Sequence, residues 1–178
     1  MMIDERAFPV EASPRRIEPI LHASGDARAL RNALGRFATG VTVVTTIGDD
    51  GVACGVTASS FNSVSLDPPM VLWSQSNSAP SNRVFQRAAF YCVNVLGAHQ
   101  RDLSDRFARP AANKFEGVDY ALSEENLPMI GGAIARFICR NDYKCYGGDH
   151  TIFVGTVVRF GHLPDSEPLI FFGGRYRG

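Results

Sequence analysis

Residues 40–58 read GVTVVTTIGDDGVACGVTA, and this stretch decides the fold class. The run Val41–Ile47 is rich in β-branched residues, which favour strands over helices. The segment Gly48–Gly51 has the composition of a hairpin turn, and Val52–Ala58 is then the return strand. The stretch therefore predicts two neighbouring antiparallel strands.

Five further apolar runs predict strands on the C-terminal side of this hairpin. They are Met70–Trp73, Ala89–Val95, Ala133–Cys139, Thr151–Phe160 and Leu169–Phe172. Helical patterns in this part of the chain fit Ser78–Gln86 and Ala98–Phe107. About seven strands joined by hairpin turns predict a mainly β fold, a β-barrel or sandwich with flanking helices. A regular βαβ alternation is absent, which argues against a doubly wound sheet.

The segment Asp26–Phe37, on the N-terminal side, predicts an amphipathic helix. Its apolar residues fall on one helical face: Ala27, Leu30, Leu34 and Phe37. Ser24 or Asp26 can cap the start of this helix, and Gly40 can end it. Residues 1–23 hold scattered prolines and predict an extended arm, followed by one domain over 24–178. This arm is either a loose tail or an element that packs on a second subunit.

Length and charge limit the classes of function. The 178 residues suit one domain with a real core. Lys plus Arg and Asp plus Glu number 18 each, so the formal net charge is zero. The overall charge therefore does not favour binding to nucleic acid or to an anionic membrane. No apolar run is long enough for a transmembrane helix, and the N-terminal residues lack the apolar core of a secretory signal. We therefore expect a cytoplasmic protein.

The sequence shows no established metal or nucleotide motif. The four cysteines have no CxxC spacing and the four histidines no metal-ligand spacing, so we expect free thiols and no bound metal. No GxGxxG follows a strand, and no GxSxG surrounds a serine. The Rossmann fingerprint and the best-known serine hydrolase signature are therefore excluded.

Two hydroxyl-rich segments are candidates for a ligand site. Residues 55–65 (GVTASSFNSVS) crowd small side chains and hydroxyls at the end of a strand, where a ligand can approach the backbone closely. On composition alone, a polar loop with hydroxyl-capped turns is the better explanation. Residues 74–82 (SQSNSAPSN) leave a strand and open a helix, so they suit an anion site and simple N-capping equally well.

Residues 147–151 (GGDHT) form a third candidate segment. Two glycines permit a turn with positive φ, which points the following residues outward. His150 then lies at the mouth of the strand that follows. By itself this pattern is more typical of a Gly-Gly turn with a solvated histidine.

Six segments, taken together and in this order, resemble one family. They are GRFATGVTVVTT, GVTASSFNSVSLDPPMVLWS, FYCVNVL, LSDRFA, GGDHTIFVGTV and PLIFFGGRY. The sequence from about Leu30 to Tyr176 resembles the flavin reductase-like domain of the FMN-binding split-barrel superfamily, above all the short-chain reductase components of two-component flavin monooxygenases. This resemblance implies a Greek-key antiparallel barrel of six or seven strands with small flanking helices. It also implies a homodimer with flavin in a groove near the interface.

The resemblance also assigns site residues. Flavin-binding positions fall on Val56, Thr57, Ala58, Ser59, Ser60, Ser74, Gln75, Ser78, Ser81, Phe107, Ala108 and Arg109. His150 falls on the residue that contacts the nicotinamide, and Tyr176 on a C-terminal aromatic residue that helps to close the site. Ser78 stands where some relatives carry a basic residue for the flavin phosphate, which leaves Arg109 or Arg83 as the charge partner.

The activity that the resemblance implies is hydride transfer from NADH to FMN or FAD, which supplies free reduced flavin to a separate monooxygenase. The cofactors carry the difficult chemistry, so the protein needs only to bind, to orient and to exclude water. NADPH in place of NADH stays open, as does FMN against FAD. The alternatives are a non-catalytic flavin-binding protein and an oxidoreductase that retains its flavin and reduces another acceptor. His150 and Tyr176 favour the reductase, because flavin storage needs neither.

Overall fold

The computed structural model describes residues 20, 22, 23, 25–111 and 113–177. Most of the predicted arm, residues 1–23, and the candidate cap Ser24 lie outside the described residues, so the arm stays a prediction. Within these ranges, no helix is long and apolar enough to cross a membrane.

Antiparallel strands dominate the described chain. The strands are β1 Thr39–Gly40, β2 Thr42–Ile47, β3 Ala53–Ala58, β4 Asn62–Leu66, β5 Pro69–Ser76, β6 Phe90–Val95, β7 Tyr120–Leu122, β8 Pro128–Ile130, β9 Ala135–Gly147, β10 His150–His162, β11 Ile170–Phe172 and β12 Arg175–Arg177. Seven of them form one antiparallel sheet in the order β3-β2-β6-β9-β10-β5-β4. β1, β11 and β12 form a small second sheet, and β7 pairs with β8. The predicted mainly β fold is confirmed.

Short helices flank the sheets. They are α1 Ala27–Leu34, α2 Asn82–Arg87 and α3 Arg101–Ala108, the last preceded by a 3₁₀ turn over Ala98–Gln100. The predicted cap Asp26 is confirmed, since its carboxylate accepts two backbone N–H groups of the first turn at 2.9 and 3.0 Å. The prediction that Gly40 ends this helix was wrong. Gly35 closes the last turn by hydrogen bonds back into the helix, and Gly40 instead pairs with Ile170 between β1 and β11.

The hairpin predicted from residues 40–58 is confirmed. β2 pairs antiparallel with β3 along its whole length. The N–H of Gly48 donates to the carbonyl of Val52 at 2.9 Å and closes the turn. Gly51 adopts a φ of 77°, which glycine reaches without steric cost. Turn chemistry and strand propensity therefore agree in this stretch.

β2 is buried on both faces, which explains why its sequence is β-branched throughout and does not alternate regularly. Val44 belongs to an aromatic core, and Val43 belongs to a second core that includes α3. In the aromatic core, Trp73 stacks on Phe153 with 4.7 Å between ring centroids. Phe85 of α2 meets the same indole edge-on at 4.9 Å. These rings join β5, β10 and α2 into one unit.

Residues 62–66 form a strand that the sequence analysis did not predict. This strand, β4, lies at the edge of the large sheet and pairs with β5, with an irregularity between Ser63 and Ser65. Most of its side chains are exposed, so no alternation of apolar and polar residues marks it as a strand. The hydroxyl-rich segment 55–65 is therefore two strand ends and a short connection, not one polar loop.

β9 and β10 form a hairpin with 13 residues in each strand, longer than either predicted strand. β9 pairs with β6 only as far as Arg140, so its remaining residues pair with β10 alone in this sheet. At the tip, Gly148 has the predicted positive φ, 72°, and His150 begins β10. Because β10 also pairs with β5 from His150 to Thr156, the tip is held in the sheet from the β5 side.

Candidate active site

The central cleft lies where β3, β5 and β10 come together, and its volume is about 310 Å³. Its walls are formed by Val56, Thr57, Ala58, Ser59, Ser60, Trp73, Ser74, Gln75, Ser76, Ala79 and His150. The three candidate segments 55–65, 74–82 and 147–151 all contribute to these walls. Segments that are distant in the sequence therefore form one cleft.

Hydroxyl groups fasten the first segment to its neighbours. The Oγ of Ser60 donates to the carbonyl of Ser74 and accepts from the N–H of the same residue, both at 2.9 Å. The Oγ1 of Thr57 donates to the carbonyl of Ser104 in α3 at 2.7 Å. These two hydroxyls are thus committed to the walls of the cleft, whereas Ser59 is exposed at its rim.

Gln75 lines the central cleft and carries a buried acceptor. The residue is only 5% exposed, and its Nε2 donates to the Oγ of Ser81 at 2.7 Å. Its Oε1 has no hydrogen-bond partner among the described residues. A buried acceptor without a partner costs about 1–3 kcal/mol, so a ligand that donates an N–H to this oxygen would recover that free energy.

His150 lines the central cleft with its side chain 43% exposed. Its Nδ1 lies 2.6 Å from Oδ1 of Asp149. When Nδ1 carries the proton it donates to this carboxylate, and Nε2 is then the nitrogen available to a ligand. The hydrogen bond from His150 holds the pKa of the Asp149 carboxyl below its usual range.

A larger cleft of about 760 Å³, the lateral cleft, adjoins the central cleft. Val56 and Ala79 line both. Ser81 and Ala108, two of the predicted flavin contacts, line the lateral cleft. The shared residues make the lateral cleft an extension of the central one, past the start of α2 and the end of α3.

Lys114 lines the lateral cleft and was not identified from the sequence. Its Nζ donates to the carbonyls of Phe107 at 2.8 Å and Gly55 at 3.2 Å. Burial lowers the pKa of Lys114, against an opposing effect of the nearby Cys54 thiol. A single lysine in an irregular loop belongs to no motif, so only the packing of this loop against β3 and α3 reveals its position.

Four of the predicted site residues line neither cleft: Ser78, Phe107, Arg109 and Tyr176. Ser78 is exposed, and its hydroxyl lies 2.9 Å from that of Ser76. Phe107 is fully buried in the second core, with its ring against Gly55. Arg109 and Arg83, the two candidates for the phosphate charge, are exposed and lie outside both linings.

Tyr176 of β12 packs against α3. Its hydroxyl lies 2.9 Å from Oγ of Ser104 and donates to Oδ1 of Asp105 at 3.1 Å. Burial raises the pKa of this tyrosine. The carbonyl of Ser104 also accepts the hydroxyl of Thr57, so Tyr176 reaches the central cleft through α3 and not by direct contact.

Comparison with known families agrees with this arrangement. Residues 34–178 match the flavin reductase like domain. The chain therefore belongs to the flavin reductase-like family, as the resemblance of its sequence motifs predicted.

Individual relatives make the comparison more specific. The chain is 44% identical over 168 residues to the FMN reductase (NADH) SmoA of Agrobacterium fabrum, covering 94% of this chain and 95% of SmoA. It is 37% identical over 153 residues to HsaB of Rhodococcus jostii, the reductase subunit of a flavin-dependent monooxygenase, covering 86% and 78%. Among solved structures, the Streptomyces globisporus NADH:FAD oxidoreductase SgcE6, in complex with NAD and FAD fragments, superposes with a TM-score of 0.84 at 38% identity, covering 90% of this chain and 96% of SgcE6.

Proposed function

We propose that this protein is an NADH-dependent flavin reductase that transfers a hydride from NADH to FMN or FAD and releases the reduced flavin to a separate monooxygenase. The observation that carries the proposal is the central cleft, in which segment 56–60, Gln75 and His150 line one cavity. Relatives over nearly the whole chain are named for the same reaction, as an NADH-dependent FMN reductase and as the reductase subunit of a monooxygenase. These names fit a cleft with a buried acceptor and a rim histidine.

The chain's part in the reaction is to bind and orient. When bound, the nicotinamide and the flavin supply the hydride chemistry themselves. Oε1 of Gln75 would accept an N–H of the flavin edge, and Trp73 and Ala58 give the cleft apolar walls. Asp149 holds the proton on Nδ1 of His150, so that Nε2 would be the nitrogen that contacts the nicotinamide. Fixing two reactants in one geometry lowers the barrier because their freedom is lost on binding, before the reaction.

The lateral cleft would hold the phosphate-bearing tail of the flavin. Its volume, about 760 Å³, is in the range of small-molecule sites, roughly 300–1,000 Å³. Lys114 supplies the positive charge there, in place of Arg109 or Arg83. Ser81 and Ala108 line this cleft, and Ser78 and Arg109 are proposed contacts at the rim of the bound flavin. Tyr176 helps to close the site indirectly, by holding α3 through Ser104 and Asp105. FMN and FAD are both substrates on this proposal.

The active form is a homodimer in the cytoplasm. Large apolar side chains are exposed on β4 and on the part of β10 beyond its pairing with β5, where Leu66 is 93% and Phe160 is 74% exposed. Because monomeric proteins rarely expose extensive apolar surface, a second copy covers this face. Residues 1–23 are an arm outside the domain 24–178, and the partner that receives reduced flavin is a separate monooxygenase.

The test is to mix purified protein with NADH and, separately, FMN, FAD and riboflavin, and to follow the loss of absorbance at the nicotinamide band. Turnover that depends on added flavin supports the proposal, and the three rates rank the flavins. No turnover with any flavin, and none with NADPH, would overturn it. A preparation that stays yellow after dialysis would then favour a flavin-binding protein or an oxidoreductase with another acceptor.

A further inference from the structure

Asn77 directly follows β5 and makes three hydrogen bonds to the turn that carries His150. Its backbone N–H donates to the carbonyl of Asp149 at 2.9 Å. Its Nδ2 donates to the carbonyl of Gly148 at 3.3 Å. Its Oδ1 accepts from Oγ1 of Thr151 at 2.7 Å. The backbone and side chain of one residue therefore hold both sides of the catalytic histidine.

The turn needs such support. Residues 147–148 are both glycine, and Gly148 has a φ of 72°, so the backbone there is free to adopt many conformations. Strand pairing between β5 and β10 reaches only Ser76 and His150. Asn77 thus extends the link between the two segments beyond the last paired residues of the sheet.

Asn77 also lies inside the segment that lines the central cleft. Ser74, Gln75 and Ser76 precede it and form part of the cleft wall, whereas Asn77 itself does not line the cleft. One residue therefore joins the wall of the central cleft to the turn that carries His150.

We infer that Asn77 is a positioning residue for nicotinamide binding, which sets the distance of His150 from the flavin without touching either cofactor. This inference rests on the proposed function for the roles of the two cofactors. Thr151 helps to position the turn, since its hydroxyl donates to Oδ1 of Asn77 in the shorter of the two side-chain hydrogen bonds that Asn77 makes. Loss of the side chain frees the turn and leaves the flavin walls, which Ser60 and Thr57 fasten independently, in place.

The kinetic test compares Asn77→Ala with Asn32→Ala, an exposed asparagine on α1. Asn77→Ala should raise KM for NADH and lower kcat so that kcat/KM falls about tenfold, whereas the Kd for FMN, measured by fluorescence quenching, stays within about twofold of the wild type. Thr151→Val should reproduce part of the loss, and Thr151→Ser should restore wild-type values. Asn32→Ala should match the wild type. An equal loss of FMN and NADH binding in Asn77→Ala would overturn the inference.

A double-mutant cycle separates action through His150 from an independent effect. If Asn77 acts by placing the imidazole, adding Asn77→Ala to His150→Ala should cause no further loss of kcat/KM. Additive losses would contradict the inference.

Hydrogen exchange tests the same contact without any turnover. Amides of residues 148–151 should exchange faster in Asn77→Ala than in the wild type, with the exchange of β2 unchanged. Unchanged exchange at the turn would overturn the inference even in an active enzyme. If the wild type oxidises no NADH but the turn still exchanges faster in Asn77→Ala, only the proposed function is refuted.

Discussion

Phe107 of α3 packs so closely on Gly55 of β3 that a Cβ added to Gly55 would lie 2.5 Å from the ring atom Cε1. The ring is fully buried, so it has no free direction in which to move. The carbonyls of the same two residues both accept hydrogen bonds from Nζ of Lys114. This contact therefore joins the second core to the wall of the lateral cleft.

Gly55→Ala should destabilise the protein by about 1–3 kcal/mol, because an extra methyl group in a packed core forces its neighbours apart. Urea unfolding followed by tryptophan fluorescence measures the free energy of unfolding. The control is Gly40→Ala in β1, where an added Cβ meets no atom within 4 Å. That variant should stay within about 0.5 kcal/mol of the wild type. Equal stability of the two variants would show that α3 shifts to admit the added methyl group without cost.

Lys114→Met should weaken FMN binding about 10- to 100-fold, because a charge-assisted hydrogen bond to phosphate contributes about 1.5–3 kcal/mol. Riboflavin lacks the phosphate, so its Kd should change little. Quenching of flavin fluorescence gives both constants. Lys144→Met is the matched control and should leave both constants unchanged, since Lys144 is an exposed lysine of β9 that lines neither cleft. Arg109→Met tests the phosphate partner that the sequence suggested. A phosphate-selective loss in the arginine variant, or an equal loss of FMN and riboflavin in the lysine variant, would reject Lys114 as the phosphate partner.

His150→Ala should raise KM for NADH about tenfold and lower kcat, because a positioned hydrogen bond to the nicotinamide is lost. Flavin affinity should be unaffected. His22, an exposed histidine before α1 that lines neither cleft, provides the control, and His22→Ala should behave as the wild type. Steady-state kinetics with saturating FMN separates the two constants. Wild-type values of both KM and kcat in His150→Ala would remove the histidine from the mechanism.

The carboxyl group of Asp142 should make the stability of the folded protein depend on pH. The pairing of β9 with β10 shifts by one residue between Val154 and Gly155. Asp142 of β9 is the extra residue at this irregularity and has no partner in the pairing. Its carboxylate accepts from Arg140 and, at 2.9 Å, from the N–H of Thr156, and the hydrogen bond from Arg140 lowers its pKa.

Because the folded-state pKa lies below the unfolded value of about 3.9, this stabilisation is complete above that pH and is lost as the pH falls through the folded-state pKa. Asp142→Asn should therefore be less stable than the wild type at neutral pH, and the difference should shrink as the pH falls below about 4. Urea unfolding over that range measures it. A difference that is constant with pH would assign the effect to packing.

Local signals account for the parts of the fold that the sequence predicted correctly. The β2–β3 hairpin follows from β-branched runs around a Gly-Asp-Asp-Gly turn. The cap Asp26 follows from the preference for aspartate just before a helix, and its two hydrogen bonds confirm it. β4 was missed because an exposed edge strand carries no apolar alternation. The end of α1 was misplaced because Gly35 and Gly40 are both acceptable helix terminators, and only the pairing of Gly40 with β11 distinguishes them.

The residues of the candidate site likewise fall into those that the sequence identified and those that it did not. Resemblance identified His150, Gln75 and the segment 56–60, which the structure brings into one cleft. Lys114 and Asn77 could not be predicted, because their positions depend on which loops the sheet brings together. Their side chains bond to residues 59 and 71 to 74 positions away in the sequence.

β10 carries His150 at its first position and, three residues later, Phe153, whose ring stacks on Trp73 in the aromatic core. On the proposed function, one strand is therefore under selection both for turnover and for folding. Substitutions that adapt the enzyme to a new cofactor or temperature cannot accumulate freely in this strand, because each one is tested on both counts. We therefore expect related reductases to diverge more on an exposed element such as α1 than along β10.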